Sequence, residues 1–433
     1  MYIEPAENHT EIFMKTCTHY TLLGLIGLLN FGALTAMEVK KETSSKKRKR
    51  EEQNTERKKT KSSMHEKSLG KGQEAMFSHN GKLILVINND ASDSTSKDNC
   101  FKLFDAETGK LLVTVKHNDR INSAAFSHDD TKLLITSSRS RLAELWDTTG
   151  RLQLVFKHKE EWVKSAAFSD NDKQILTASP DGTAILWDAP TGKPLQTFKH
   201  GGRVSSAVFS PTKNDQILTA SDNGTVKLWD IQKNDKPPAT IIYENKIFGD
   251  RIKERIRIKR TDFNPKGDQI LVTLGNDLER DPAYAIVSLW DARTGELLQI
   301  FQHDDRVNTA RFNPTGDQLL VTLGGSVLDY DQNAGTTATL WDVKTGKANQ
   351  TFTHDKRVSS ATFNYNGKLV ITTSDDKTLK IWNAATGECL QTFKYDGRVE
   401  SAVLSPNGKQ ALVRSWSTID LGTEITLRDI PTI

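Results

Sequence analysis

GKPLQTFKHGGRVSSAVFSPTKNDQILTASDNGTVKLWD, residues 192–230, decides the fold. It divides into four short runs rich in branched and aromatic residues. GKPLQTFKH is one, RVSSAVFSP the next with Val204 and Phe209 expected inside, QILTAS a third and TVKLWD a fourth. None is long enough for a stable helix, and turn residues separate them, so each reads as a strand. Ser210-Pro211 closes one hairpin and Thr191-Gly192 another, where glycine can take a positive φ. We letter these strands d, a, b and c, with d belonging to the preceding unit.

The same unit recurs along the chain, and self-similarity at such a period outranks any local signal. Leu-Trp-Asp ends units at Asp147, Asp188, Asp230, Asp291 and Asp342, while variants end others at Asp105, Asn383 and Asp429. Upstream of each lies Phe77, Phe126, Phe168, Phe209, Phe263, Phe312, Phe363 or Leu404, at intervals between 41 and 54 residues. Thr-Gly recurs at 108–109, 294–295, 345–346 and 386–387. Eight registers of four short strands predict an all-β, eight-bladed propeller of four-stranded antiparallel blades. Seven outer strands join eight units. Closing the ring therefore requires the stretch before Lys71, in the region of Ser62–Leu69, to supply the missing strand, although its composition is poor for one.

These residues resemble the WD-repeat family, from about Lys71 to Asp429. The resemblance implies a radial disc of blades and a buried hydrogen-bond cluster in each complete repeat. That cluster joins a strand-c Trp, a strand-b Ser/Thr, an Asp of the b–c turn and a His of the d–a loop. Its implied members are His354, Ser374, Asp376 and Trp382 in unit 7, and His158, Ser179, Asp181 and Trp187 in unit 3. Unit 4 has Asn223 where the Asp belongs, and unit 2 has Ser140.

One rim is elaborated. The a–b and c–d turns stay short, whereas b–c loops lengthen at 88–100, 275–284, 324–335 and 414–423, and a d–a loop at 243–255. Loops on a rigid scaffold carry function. The residue opening strand a on this rim is Arg120, Arg203, Arg257, Arg306, Arg357 or Arg398, with Trp162 in unit 3 and Lys71 in unit 1. By the resemblance this position lines the channel mouth. A guanidinium ring with one Trp would receive an acidic peptide, a phosphorylated segment or a nucleic-acid backbone. The alternative is internal pairing of each Arg with an acid of its own blade, from Asp119, Asp304, Asp305, Asp355 and Asp396 in the d–a loops or Asp93, Asp277, Asp329 and Asp331 in the b–c inserts.

The formal charge of the chain is +4, but between Glu38 and Lys61 eleven Lys/Arg face five Asp/Glu, a net of +6. The body is near neutral. Thr21–Met37, TLLGLIGLLNFGALTAM, is apolar and reads as an export signal, an uncleaved anchor or a helix packed on the body. An export signal is better formed if translation starts at Met14. Residues 1–37 are thus assigned as leader, 38–66 as a disordered basic linker and 67–433 as propeller. The clusters from Lys46 to Lys61 also resemble a nuclear import signal, or an arm for anionic lipid or nucleic acid.

No phosphate-cradling, zinc-hydrolase or nucleophile-elbow motif occurs, and Cys17, Cys100 and Cys389 have no metal-ligand spacing. His, Ser and Asp recur in many units, so they read as architecture; an active site would be singular. We therefore expect no catalytic residue, metal or cofactor, and a monomeric scaffold for a protein or acidic peptide. Nucleic acid or a phospho-ligand is the alternative, and membrane contact follows only if the leader stays as an anchor. An enzyme would need a site in the unit 5 and 6 inserts.

Overall fold

The computed structural model describes residues 66–89, 99–138, 140–213, 215–233, 239–242, 256–276, 286–303, 306–324, 335–417 and 422–430. They belong to a compact unit spanning Glu66–Ile433. The leader, the linker up to residue 65 and most of the long loops noted above lie outside the described residues. Among the described residues no helix is long and apolar enough to cross a membrane.

Thirty-two strands form eight four-stranded antiparallel sheets, one per repeat. The chain order within a blade is a, b, c, d, with hydrogen bonds between successive strands. Blade 3 shows why the sequence partitions this way. Strand b, Gln174–Ser179, and strand c, Thr183–Asp188, are buried almost throughout, so they read as continuous apolar runs. Strand d, Pro194–Lys199, exposes every side chain but Gln196 and Phe198, and Phe198 is its inward anchor. Phe101, Phe156, Phe198, Phe301 and Phe352 are among the largest fully buried side chains. Burial of one such ring contributes about 1.5–3 kcal/mol.

The core is not central. It is divided into eight apolar layers, each between two neighbouring blades. Leu176, Ala178 and Leu186 of blade 3, with Phe198 of its outer strand, meet Val204, Ile217 and Trp229 of blade 4. One layer joins the last blade to the first: Leu69, Leu412, Ile425 and Leu427 against Ile84, Val86 and Phe104. Every blade thus has two neighbours, and the ring is closed.

Closure uses the N-terminal strand. Glu66–Lys71 is strand d of blade 8 and pairs antiparallel with Gly422–Asp429, Glu66 facing Arg428 and Lys71 facing Glu424. Leu69 is its buried residue, 4% exposed, in a strand otherwise half-buried or exposed. Arg428 stands where other blades have Trp. It is 5% exposed, lies 3.6 Å from the Glu66 carboxylate and packs over the rings of Phe393 and Tyr395. Arg414 of blade 8 donates to the carbonyl of Gln73 in blade 1 and sits 2.7 Å from Glu400.

Candidate interaction face

The opening residue of strand a occupies an equivalent place in blade after blade. Its carbonyl accepts a hydrogen bond from the end of strand b or the residue after it: Ser138 to Arg120 at 2.9 Å, Asp222 to Arg203 at 3.0 Å, Gly324 to Arg306 at 2.6 Å, Asp375 to Arg357 at 3.0 Å and Trp416 to Arg398 at 2.9 Å. These five arginines therefore share one height on the inner strands and one rim. Trp162 precedes strand a of blade 3 and is half-buried. The side chain of Arg257 lies outside the described residues; its backbone pairs with Gly275.

Lys71 does not belong to this set. It ends the outer strand of blade 8, in the place that Lys199 takes in blade 3. The chain passes from Lys71 through Gly72 and Gln73 into a short strand a, Glu74–Phe77. Counting back from Phe77 fails here because the outer strand of blade 8 runs almost directly into blade 1. Gly72 is required at that corner: a Cβ would stand 2.6 Å from Val86 and 2.8 Å from Ile425.

Arg357 and Arg398 have acid partners within their own blades, one in the b–c turn and one in strand a, while Asp304 and Asp305 of the d–a loops lie outside the described residues. Arg357 Nε donates to Asp375 at 3.0 Å and Arg398 contacts Glu400 at 3.1 Å. Arg398 also lies 5.3 Å over the Trp416 ring. Arg203 approaches Asp222 only to 4.0 Å through Nε, while the other Asp222 oxygen accepts the Arg203 backbone N–H at 3.0 Å. The partners come from the residue after strand b or from within strand a, because those positions stand beside the strand-a opening in the ladder. Arg120 is exposed, and Arg306 is half-buried beside Gly324.

A cleft of about 340 Å³ opens on the same rim between the inner strands of blades 3, 4 and 5. Trp162, Pro180, Val204 and Ile258 form its apolar wall, and Lys164, Arg203 and Asp222 its charged edge. It is the place where the sequence-singled Trp162 and Arg203 come together.

The buried clusters differ in one member from the expected set. In blade 7, Trp382 Nε1 donates to Thr372 Oγ1 at 2.7 Å, Thr372 bonds His354 Nε2 at 2.7 Å, and His354 Nδ1 bonds Asp376 at 2.8 Å. In blade 3 the same chain runs Trp187, Thr177, His158, Asp181. The hydroxyls are Thr372 and Thr177; Ser374 and Ser179 are not in the chain. Trp382 pairs with Val370, so Thr372 is its near diagonal neighbour on that face. Ser374 lies two residues farther, beyond the reach of the indole. Ser374 instead accepts the Asp376 N–H and donates to the Lys356 carbonyl, fixing the turn.

This wiring sets protonation. The Asp376 carboxylate accepts a hydrogen bond from His354 Nδ1–H, so in the neutral ring Nε2 accepts from the threonine hydroxyl. Burial correspondingly pulls the pKa of His158 and His354 down, partly opposed by their aspartates. In blade 4 Asn223 replaces the aspartate, and burial with nearby Lys227 lowers His200 to about 4. Blade 2 is wired differently. Glu144 takes the threonine's place, 3.0 Å from both His117 Nε2 and Trp146 Nε1. His117 also faces the Asp119 carbonyl. Burial alone would lower its pKa, but the Glu144 bond, the Asp119 carbonyl and their charges outweigh it and raise it. The signal for Glu144 was in the sequence as an acid at the second position before the unit 2 Trp. Ser140 stands in the b–c turn, at the aspartate position where the sequence put it, and contacts Ser137.

Among the described residues no group of three or more His, Cys, Asp or Glu is placed to hold a metal ion. Cys100 is buried and Cys389 exposed, both as thiols, and Cys17 lies outside the described residues.

The geometry agrees with what known proteins share with this chain. The family model of the WD domain, G-beta repeat, matches residues 109–147, 150–188, 192–230 and 346–383. No curated protein matches. The C-terminal WD40 domain of Sif2 superposes with a TM-score of 0.65 at 13% identity, over 85% of this chain and 99% of that one. The computationally designed Ika8 protein does so with a TM-score of 0.60 at 19% identity, over 84% of this chain and 96% of that one. These likenesses speak for the fold. Four registers of the chain match the WD40 repeat, and its described residues form an eight-bladed β-propeller.

Proposed function

We propose that the protein is a non-catalytic platform that binds a protein partner on the rim where strands a begin. WD40 propellers are commonly protein-interaction scaffolds, and fold alone does not choose the partner. One observation carries the reading: arginines recur at five backbone-equivalent positions of a single rim, and Arg120, Arg203, Arg357 and Arg398 expose their side chains there. Arg and Trp at such a place are the side chains that dominate interfaces. The a–b turns on the opposite rim carry charge of mixed sign at their equivalent position, Lys82, Lys173, Lys368 and Lys409 in four blades but Asp215, Asp268 and Asp317 in three others.

The test is affinity capture with the full chain, comparing wild type with Arg120→Glu, Arg357→Glu and the opposite-rim control Tyr365→Ala. Tyr365 is 79% exposed in an a–b turn. Loss of the same partner with either arginine variant, and retention with the control, is the expected result. Equal recovery from all four proteins would overturn it.

The basic run from Lys40 to Lys61 supports a second reading, nucleic-acid binding with an electrostatic arm. Under it, removing residues 38–63 would abolish binding and flatten its salt dependence. Under the scaffold reading that deletion changes little. The leader reading belongs to the same proposal: export through Thr21–Met37 would be seen as a mature N-terminus beyond residue 37.

A further inference from the structure

We propose that the cleft between blades 3, 4 and 5 is the anchor site for a short acidic-apolar peptide, one in which an aromatic or branched side chain is flanked by carboxylates. The inference rests on the platform reading above and names the chemistry of its partner.

The wall of the cleft is apolar and does not flex easily. Trp162 stands half-buried on one side; Pro180, Val204 and Ile258 are buried behind it. At about 340 Å³ the space lies at the small end of ligand sites. An inserted apolar side chain would remove the exposed part of the Trp162 ring from water, which is the gain such a site offers.

The edge carries two cations and one acid. Lys164 is exposed and has no acid partner among the described residues. Arg203 has Asp222 at the 4.0 Å limit, on Nε alone, and Asp222 is already engaged by the Arg203 backbone N–H. The terminal amino groups of this guanidinium are therefore not used by Asp222, and they form the fork that grips a carboxylate with two parallel bonds. A lysine-rich segment would meet Lys164 and Arg203 and be repelled. A purely acidic segment would leave the apolar wall bare. The chemistry that satisfies both is an apolar residue between acids. A phosphodiester strand could use the cations, but it would bring base stacking to Trp162 without needing Val204 and Ile258. The experiment includes it as a competitor.

The probe is fluorescein-labelled Gly-Asp-Phe-Glu-Gly read by anisotropy against the full chain, beside Gly-Asp-Ala-Glu-Gly, Gly-Lys-Phe-Lys-Gly and a thymidine oligonucleotide. The Asp-Phe-Glu peptide is expected to saturate, with at least tenfold weaker binding of the alanine peptide and none of the lysine peptide. Trp162→Ala and the exposed-site variant Lys164→Glu should each weaken it at least tenfold, and Arg203→Glu should abolish it. Circular dichroism identical to wild type qualifies each variant, and Lys164→Glu serves if Trp162→Ala fails to fold. Equal affinity for the three peptides, indifference to Lys164→Glu and Arg203→Glu, or displacement only by the oligonucleotide overturns the proposal. If no peptide binds while Arg120→Glu and Arg357→Glu still lose their captured partner, the cleft chemistry is wrong and the platform reading stands.

Discussion

A threonine hydroxyl and a histidine ring decide how blades 3, 4 and 7 are wired. Thr372 is fully buried and receives the indole N–H of Trp382 while serving His354. Thr372→Val leaves both partners unsatisfied in the interior, at a cost of about 1–3 kcal/mol. Ser374→Ala should cost less, since its bonds go to backbone groups of a turn. Urea midpoints of the two variants measure this, and the order would reverse if Ser374 were the cluster's hydroxyl. The difference was not legible beforehand because QILTAS and LVITTS carry two hydroxyls on one strand face; only the reach of the indole separates them.

Protonation follows from the same wiring. His158, His200 and His354 have folded pKa values below the ordinary 6.5. The unfolded chain therefore binds protons that the folded chain refuses, and their contribution to stability is whole above about pH 6.5 and is lost as pH falls toward the folded values. For His200 that window ends at about 4. His117, raised by Glu144, acts with the opposite sign: its contribution is whole below the ordinary value and is lost as pH rises through the folded one. Melting temperatures between pH 7 and 4 should fall more steeply for wild type than for His200→Gln.

Turns and single strands show where repeats agree and where they depart. Lys377 sits at φ 70 in the b–c turn of blade 7, at the position held by Gly182 and Gly224 in blades 3 and 4. A side chain in the left-handed region costs roughly 1–2 kcal/mol, so Lys377→Gly is expected to stabilise by about 1 kcal/mol, read as a higher urea midpoint. On the opposite rim, a–b turns interlock between blades. Asp130, at φ 58, accepts the backbone N–H groups of His79 and Asn80 at 2.8 Å and contacts the His79 ring. Asp172, at φ 56, does the same for His128 and Asp129. The His79 and His128 rings stack at 5.0 Å. Elsewhere a proline meets a glycine: Pro406 against Gly81, Pro265 against Gly316 and Pro314 against Gly367. The pairs His-with-Asp and Pro-with-Gly are complementary because a turn that retains N–H donors needs an acceptor, and a proline ring needs space.

The outer strand of blade 8 departs most. Its six residues, EKSLGK, lack the branched and aromatic side chains that announce a strand. Backbone hydrogen bonds to Gly422–Asp429 hold it, and composition does not encode those; only Leu69 and the charge of Glu66 leave a trace. Because Arg428 is buried, Glu66→Leu removes the carboxylate that faces it and is expected to destabilise by up to about 3–5 kcal/mol. Joined to Arg428→Met, the loss should largely vanish. Chemical denaturation of the two proteins compares them directly.

At the scale of the whole ring, the recurring Trp-Asp ends and Phe starts were sufficient for blade number, strand order and a shared rim. Each repeat faces the same neighbours, so one well-read unit determines the rest. What the repeat could not report was its own exceptions. Lys71 has the spacing of a strand-a residue but belongs to the outer strand, since the closing strand leaves no room for a d–a loop. The acid that meets Arg357 stands in its own blade's b–c turn, a kind of loop where pairing was expected, whereas Glu400, which meets Arg398, lies within strand a, where a reading of the loops does not reach. The cleft at Trp162 and Arg203 depends on Ile258 of a third blade, a contact no single repeat contains. The rim exists as one surface only if the ring is shut, and the ring is shut by residues from the far end of the chain.

Hydrogen exchange of the full protein, resolved to the segments 66–71 and 422–429, measures that closure. The expected result is slow exchange of both segments, with protection lost together as denaturant rises. Exchange of 66–71 at the rate of an unstructured peptide, while 422–429 stays protected, would contradict a closed eight-bladed ring.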